Sequence, residues 1–151
     1  MDTLFLIGPR ATLYNPLINK VLLLQRNDGN NAWEIPGGKR ENNEDIIDSL
    51  KREVYEETKL NIKKYKLVYV SPVFENHPVL KPFLNIGYLC IVDSVDVIIS
   101  NEHIDFKWVS TSELSDYLDQ GIMNDLVNNN MLNEIEKYKI EVSKLEYKNE
   151  T

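Results

Sequence analysis

One cysteine, Cys90, is the whole thiol content of a 151-residue chain. A lone cysteine leaves no internal disulfide to form, and its setting in IGYLCIV reads as a buried strand position in a reducing, cytoplasmic protein. Long apolar runs are missing too. None approaches the ~18 residues that suggest a membrane span, so no membrane partner is expected. The opening MDTLFLIGPR lacks a basic leader ahead of its short apolar stretch, which argues against a secretory signal. Glycine and proline, six of each, are scarce, and there is no linker, repeat or low-complexity tract. Basic residues are in short supply, 17 against 24 acidic ones, leaving a net charge of −7. An acidic surface disfavours nucleic acid, whose phosphates want a basic patch. It still admits a small phosphorylated ligand if a cation mediates the contact.

What remains is ordinary globular material, 42% hydrophobic and 27% charged, read as one domain over residues 1–151. A domain of this size hides roughly 70% of its unfolded surface. TLFLIG and RATLY read as extended segments, followed by turn chemistry at Asn15, Pro16 and Asn19. KVLLLQR is apolar on both faces, as in a central strand covered on both sides. NDGNN and WEIPGGKRENNE read as loops, and Asp45 as the cap of a helix running to Thr58. KLVYVSPVF, FLNIGYLCIV and VDVIIS read as further strands, and STSELSDYL as a short helix capped by Ser110 or Thr111. From Met131 to Tyr147 a last helix carries Leu132, Ile135, Tyr138, Val142 and Leu145 on one stripe. That stripe reads as core packing, with a homodimer seam as the alternative. The last residues, YKNET, have the polar character of a loose end. Strands on either side of a central helix, with a closing helix, imply an α/β fold with a mixed sheet between helical layers.

Within the central helix, REVYEETKL crowds Glu53, Glu56 and Glu57 together. Like charges three and four apart repel by about 0.2–0.5 kcal/mol per pair. On a wheel of about 100° per residue, Ile46, Ile47, Leu50 and Val54 form the apolar stripe. Glu57 falls inside that stripe, a costly place for an unpaired carboxylate. A basic partner or a hard divalent cation would compensate; the alternative for this stretch alone is a charged helix edge whose spacing is fortuitous. Arg52 is the only basic residue close in sequence, and the wheel turns it partly away.

Upstream, Gly38 precedes Glu44 by six residues, and Glu44 precedes Arg52 by eight. With Glu53, Val54, Glu56, Glu57 and Leu60, this pattern resembles the box of the Nudix hydrolases, G-x5-E-x7-R-E-U-x-E-E-x-G-U with U apolar. Lys59 stands where the last glycine belongs. The flanking KVLLLQR, WEIPGG and FKWVSTSEL also look Nudix-like, so the resemblance covers roughly Leu4 to Leu118.

The resemblance implies a Nudix-like α/β/α sandwich and a pyrophosphohydrolase acting on a nucleoside diphosphate linked to another moiety. The leading substrates are (deoxy)nucleoside triphosphates, oxidised ones included, cleaved to monophosphate and pyrophosphate. The alternatives are a nucleotide-sugar or dinucleoside polyphosphate hydrolase, or a non-catalytic nucleotide-binding regulatory module. It implies Mg²⁺, with Mn²⁺ able to substitute, held by Glu53, Glu56 and Glu57 with a carbonyl of Gly37 or Gly38. Arg52 and Glu44 are expected to orient those carboxylates. An additional carboxylate, which could serve as the base in place of Glu57, is expected at Glu102, with Glu75 as the second choice. His103 is read as a loop or structural histidine. Arg26, Lys39, Gly37 and Gly38 are placed near substrate phosphates, Phe74 and Tyr88 as base-stacking candidates, and Trp33 as packing for the glycine loop. Lys59 is expected to cost the helix end about 1 kcal/mol, because a left-handed terminal residue favours glycine.

Overall fold

The computed structural model describes the backbone of residues 2–150 and the side chains of residues 2–144. Leu145, read as the end of the apolar stripe, and the YKNET tail lie outside the described side chains. Six strands form one mixed sheet: β1 (Leu6–Asn15), β2 (Lys20–Arg26), β3 (Trp33–Glu34), β4 (Lys64–Val73), β5 (Phe83–Ile91) and β6 (His103–Val109). Among the described residues four α-helices accompany it: α1 (Ile46–Thr58), α2 (Leu114–Tyr117), α3 (Gln120–Asn128) and α4 (Met131–Glu150), with a 3-10 turn at Thr111–Glu113 leading into α2. None of them is long and apolar enough to cross a membrane.

TLFLIG and RATLY, read as two segments, contribute to one strand, β1. Its turn into β2 is local chemistry. The Asn15 side chain accepts from the Leu17 N–H, Asn19 takes a left-handed φ of 55°, and the Tyr14 hydroxyl donates to Asn19 Oδ1 at 2.8 Å. The sheet runs β3-β2-β1-β5-β4, with β6 on the other edge of β2. β1 and β5 are parallel; the remaining pairs are antiparallel.

β2 lies at the centre, with Val21 to Leu24 wholly buried. Alternation sends Val21 and Leu23 to one face and Leu22 and Leu24 to the other. The first face packs against Leu114, Leu126, Met131 and Ile135 of α2, α3 and α4. The second packs against Leu50 and Val54 of α1. Each buried leucine of this kind contributes about 1.5–3 kcal/mol. The C-terminal stripe is therefore core along its first turns, with Tyr138 edge-on to Tyr14.

Two expectations need correction. VDVIIS is not a strand: Val97 and Ile99 pack on the α1 side while the Ile98 N–H bonds the Thr58 carbonyl, so this segment ties down the end of α1 and joins no ladder. His103, read as a loop or structural histidine, is no loop residue: it opens strand β6, which runs along β2. α3 was not legible in advance; Asp119 caps it by accepting from the Ile122 N–H at 2.9 Å.

The glycine loop is pinned to the N-terminal half of β1. Ala11 N–H bonds the Pro36 carbonyl, Gly38 N–H the Pro9 carbonyl, and Arg40 N–H the Ile7 carbonyl, at 2.8, 3.2 and 3.0 Å. This holds the loop beside α1.

Candidate active site

Helix α1 starts where Asp45 accepts from the Ile47 N–H at 2.8 Å. Leu50 and Val54 anchor its buried face, and Glu57, next to them on the wheel, is only 3% exposed. Glu57 Oε1 accepts from the Gly37 N–H at 3.1 Å, which ties the helix to the glycine loop. Gly38 lies against Glu53 so closely that a side chain there would collide with the carboxylate. The Gly38 carbonyl oxygen lies against Gly8 of β1.

Arg52 organises the neighbouring carboxylates. It bonds Glu44 at 2.6 and 3.0 Å, Glu53 at 3.0 Å, Glu56 at 3.2 Å and the Lys39 carbonyl at 3.1 Å. The wheel turned Arg52 partly away, but it locates only the Cα–Cβ direction. The long side chain lies back along the helix toward its N-terminus. Bonding to Arg52, joined by the Glu41 N–H, holds the Glu44 carboxyl down at about 2, and the same carboxylates raise the Arg52 guanidinium. Burial raises Glu53 despite the pull of Arg52.

Glu57 is outside that network. Burial pushes it up to about 8, with the Gly37 N–H opposing and the charges of Glu53, Glu34 and Glu102 adding to the rise. Its other neighbour is His103, whose Nε2 lies 3.6 Å from Glu57 Oε2 and 2.9 Å from Glu34 Oε1. His103, read as a loop or structural histidine, is the buried first residue of β6, and its Nε2 faces this cluster directly. Glu34 was missed in the sequence. It pairs with Leu24, whose face is the α1 side, and cross-strand partners share a face. The ligand atoms of Glu34, Glu57 and His103 lie within 4.8 Å of one another. Glu57, which takes no bond from Arg52 among the described residues, with Glu34 and His103 beside it, is a donor set that fits a divalent ion.

The remaining expected residues are more scattered. Glu102 sits in the exposed turn before β6, and its charge acts on both Glu53 and Glu57. Glu75 lies in the exposed turn after β4, next to Phe74 with its φ of 60°, and takes no part in the cluster's described bonds. Arg26 is engaged with Asp28 at 2.7 Å and Glu34 at 3.6 Å, while the Lys39 side chain is exposed. Tyr88 is buried in the α1-side core, which removes it as a base-stacking residue; Phe74 remains exposed. Trp33 packs edge-on against Tyr117. Lys59 adopts the left-handed conformation that glycine would favour, φ 62° and ψ 17°, with its N–H on the Tyr55 carbonyl and its ammonium 4.9 Å from the Tyr55 ring centre.

Comparison with known proteins gives the family and the fold. A family model of the NUDIX domain matches residues 9–128. The chain is 31% identical over 115 residues to a dihydroneopterin triphosphate diphosphatase of Haemophilus influenzae, covering 68% of this chain and 73% of that protein. It is 43% identical over 53 residues to the mouse protein nucleoside diphosphate-linked moiety X motif 6, a match spanning 34% of this chain and 17% of that relative. Among solved structures, a MutT protein from Methanosarcina mazei superposes with a TM-score of 0.71 at 24% identity, covering 93% of this chain and 97% of the other, a likeness of fold. The pinned glycine loop, the Arg52-bound glutamates and the match over residues 9–128 lead to one conclusion: the chain belongs to the NUDIX family of hydrolases, which act on nucleoside diphosphate-linked substrates.

Proposed function

We propose that the protein is a Mg²⁺-dependent pyrophosphohydrolase, with Mn²⁺ able to substitute, that cleaves (deoxy)nucleoside triphosphates to monophosphate and pyrophosphate. The observation that carries this reading is Glu57, buried beside further carboxylates and left unneutralised by Arg52. Glu53, Glu56 and Glu57 would hold the ion, with the Gly38 carbonyl as a further oxygen. When bound, it supplies neutralisation of diphosphate oxygens and a lowered pKa for an attached water.

The chain's own groups do the rest. Arg52 fixes Glu53 and Glu56, and Glu44 fixes Arg52, so the carboxylates are pre-aimed. The Gly37 N–H holds one oxygen of Glu57 and leaves the other toward His103. Glu102, solvated but near enough to act on Glu53 and Glu57, is the carboxylate that takes the proton of the attacking water. Lys39, exposed on the glycine loop, meets the departing phosphates. A triphosphate substrate is supported by the relative named for dihydroneopterin triphosphate. Retention of all the box glutamates argues against a regulatory module without activity, and the single domain over residues 1–151 is proposed to work in the cytoplasm.

³¹P NMR of the protein with nucleoside triphosphates, nucleotide sugars and dinucleoside polyphosphates, with and without Mg²⁺, tests this. The expected result is Mg²⁺-dependent release of pyrophosphate from triphosphates. Release only from the other two classes would move the substrate, and no cleavage of any would remove the hydrolase reading.

A further inference from the structure

Across the sheet from α1, a polar row is left over that the hydrolytic chemistry does not use. Asp125 of α3 accepts from the Ser71 hydroxyl at 3.2 Å. Ser71 is the direct ladder partner of Asn85, and Asn85 is the partner of Gly8. Asn85 Oδ1 in turn accepts from Arg10 Nε at 3.1 Å, and the Arg10 guanidinium lies 5.5 Å from the Phe83 ring centre. Two glycines keep the floor flat. The Phe83 ring occupies the space a side chain at Gly8 would need, and the Tyr69 ring does the same at Gly87. The Tyr69 hydroxyl is raised chiefly by burial, with the Asp125 charge adding to the rise and Arg10 opposing it.

This is an acceptor facing donors across an aromatic-lined floor. Among the described residues no cation pairs with Asp125, so its half-buried carboxylate has bonding capacity to spare. Among the described residues the two terminal nitrogens of Arg10 and the amide N–H groups of Asn85 take no partner, which leaves them for a ligand. A ring that offers adjacent N–H and NH₂ groups on one edge and a carbonyl with a neighbouring ring nitrogen on the other satisfies both ends. Carboxylates take the first edge, and arginine takes the second bidentately. The distance is right as well. From Ser71 through Asn85 and Gly8 to Gly38 is three strand spacings, about 14 Å, and Gly38 abuts Glu53. A ring held at Asp125 therefore lies within a triphosphate chain's reach of the Gly38 loop, around the edge of which the carboxylates stand.

We propose that Asp125, with Arg10 and Asn85 opposite it, reads the 2-amino-4-oxopyrimidine edge of the substrate ring and so sets the substrate class as a guanine nucleotide or a pterin phosphate. The proposal rests on the hydrolase reading for the placement of the phosphates, but its test does not need turnover. Titration calorimetry with GMP, IMP, XMP, AMP and neopterin monophosphate, in excess Mg²⁺, compares rings that differ by single groups. GMP or the pterin should bind at least about tenfold tighter than IMP, which lacks only the amino group, because a lost bond to a charged acceptor costs that much. Asp125→Asn should erase that ratio and improve XMP, while pyrophosphate binding stays unchanged and reports an intact fold. A preference for GMP over the pterin, or the reverse, identifies which source is read. Equal affinities for GMP and IMP, a best affinity for AMP, an unaltered ratio in Asp125→Asn, or pyrophosphate binding with no ring binding would each overturn the assignment. Triphosphate cleavage without ring preference sinks this proposal alone. Ring preference without cleavage sinks the hydrolase reading alone.

Discussion

Arg52 holds Glu44 through two parallel hydrogen bonds, Nε to Oε2 at 2.6 Å and Nη2 to Oε1 at 3.0 Å. A fork of this kind needs the planar guanidinium, which sets two nitrogens opposite the two carboxylate oxygens; an ammonium offers its donors from a single nitrogen and cannot make the parallel pair. The grip fixes the end of the side chain that also reaches Glu53 and Glu56. Arg52→Lys is therefore expected to lower kcat by about 10–100-fold while the chain still folds. Steady-state kinetics with a melting curve check this; unchanged kcat would mean the carboxylates are aimed without Arg52.

Metal-free stability should fall as pH rises. Glu57 goes from an ordinary 4.5 to about 8 on folding, so between those values the folded chain keeps a proton that the unfolded chain has released. Stability from this group is fully present below about 4.5 and is lost as pH rises through about 8, an effect on the order of a few kcal/mol. Glu44 acts in the opposite sense, but its window lies between 4.5 and about 2, outside this range. Melting temperatures in EDTA should decline from about pH 5 to about pH 8, and Glu57→Gln should flatten the slope. Mg²⁺ should restore the lost stability most strongly at the alkaline end, since a ligating carboxylate must be ionised.

Glu102 and Glu75 part company in the structure. Glu102 acts on Glu53 and Glu57, whereas Glu75 stands in a turn beyond β4. Glu102→Gln should lower kcat by about 10²-fold or more, and Glu75→Gln should leave it within about twofold. The reverse result in parallel assays would move the proton acceptor to the β4–β5 turn.

Gly38→Ala should damage activity more than folding. The added methyl meets the Glu53 carboxylate, which must swing from its place beside Arg52. A drop in Mg²⁺ affinity by calorimetry, with a melting temperature lowered by only a few degrees, is the expected pattern.

Lys59→Gly should raise the melting temperature by roughly 2 °C without loss of activity. A glycine relieves the left-handed backbone by up to about 1 kcal/mol, and the lost contact with the Tyr55 ring gives part of that back. Loss of turnover would show that Lys59 has a role beyond ending the helix.

Much of this site could be read from local spacing. Asp45 as cap, Glu57 at the edge of the apolar stripe and β2 buried on both faces all follow from periodicity over a few residues. Glu34 and His103 did not. They meet because β2 pairs with β3 at Leu24 and with β6 at Arg26, a non-local relation that no local pattern records. VDVIIS misled because its β-branched residues suit a strand, yet the Ile98 N–H is taken by the end of α1. α3 was hidden by Gly121 and its asparagines, poor helix formers that a capped start and the buried Leu126 override. The wheel turned Arg52 partly away because it gives the direction of Cβ and says nothing of where a long side chain ends; the family pattern had put Arg52 with the carboxylates, where it lies.

The central claim is that Glu57 and its neighbours bind the divalent ion on which pyrophosphate release depends. Pyrophosphate release from GTP, followed against Mg²⁺ concentration in the wild type and in Glu57→Gln, tests it directly. Saturable Mg²⁺ dependence in the wild type, with turnover reduced by at least about 10³-fold in a folded Glu57→Gln, is the result predicted. Turnover that survives the substitution, or proceeds equally in EDTA, would contradict it.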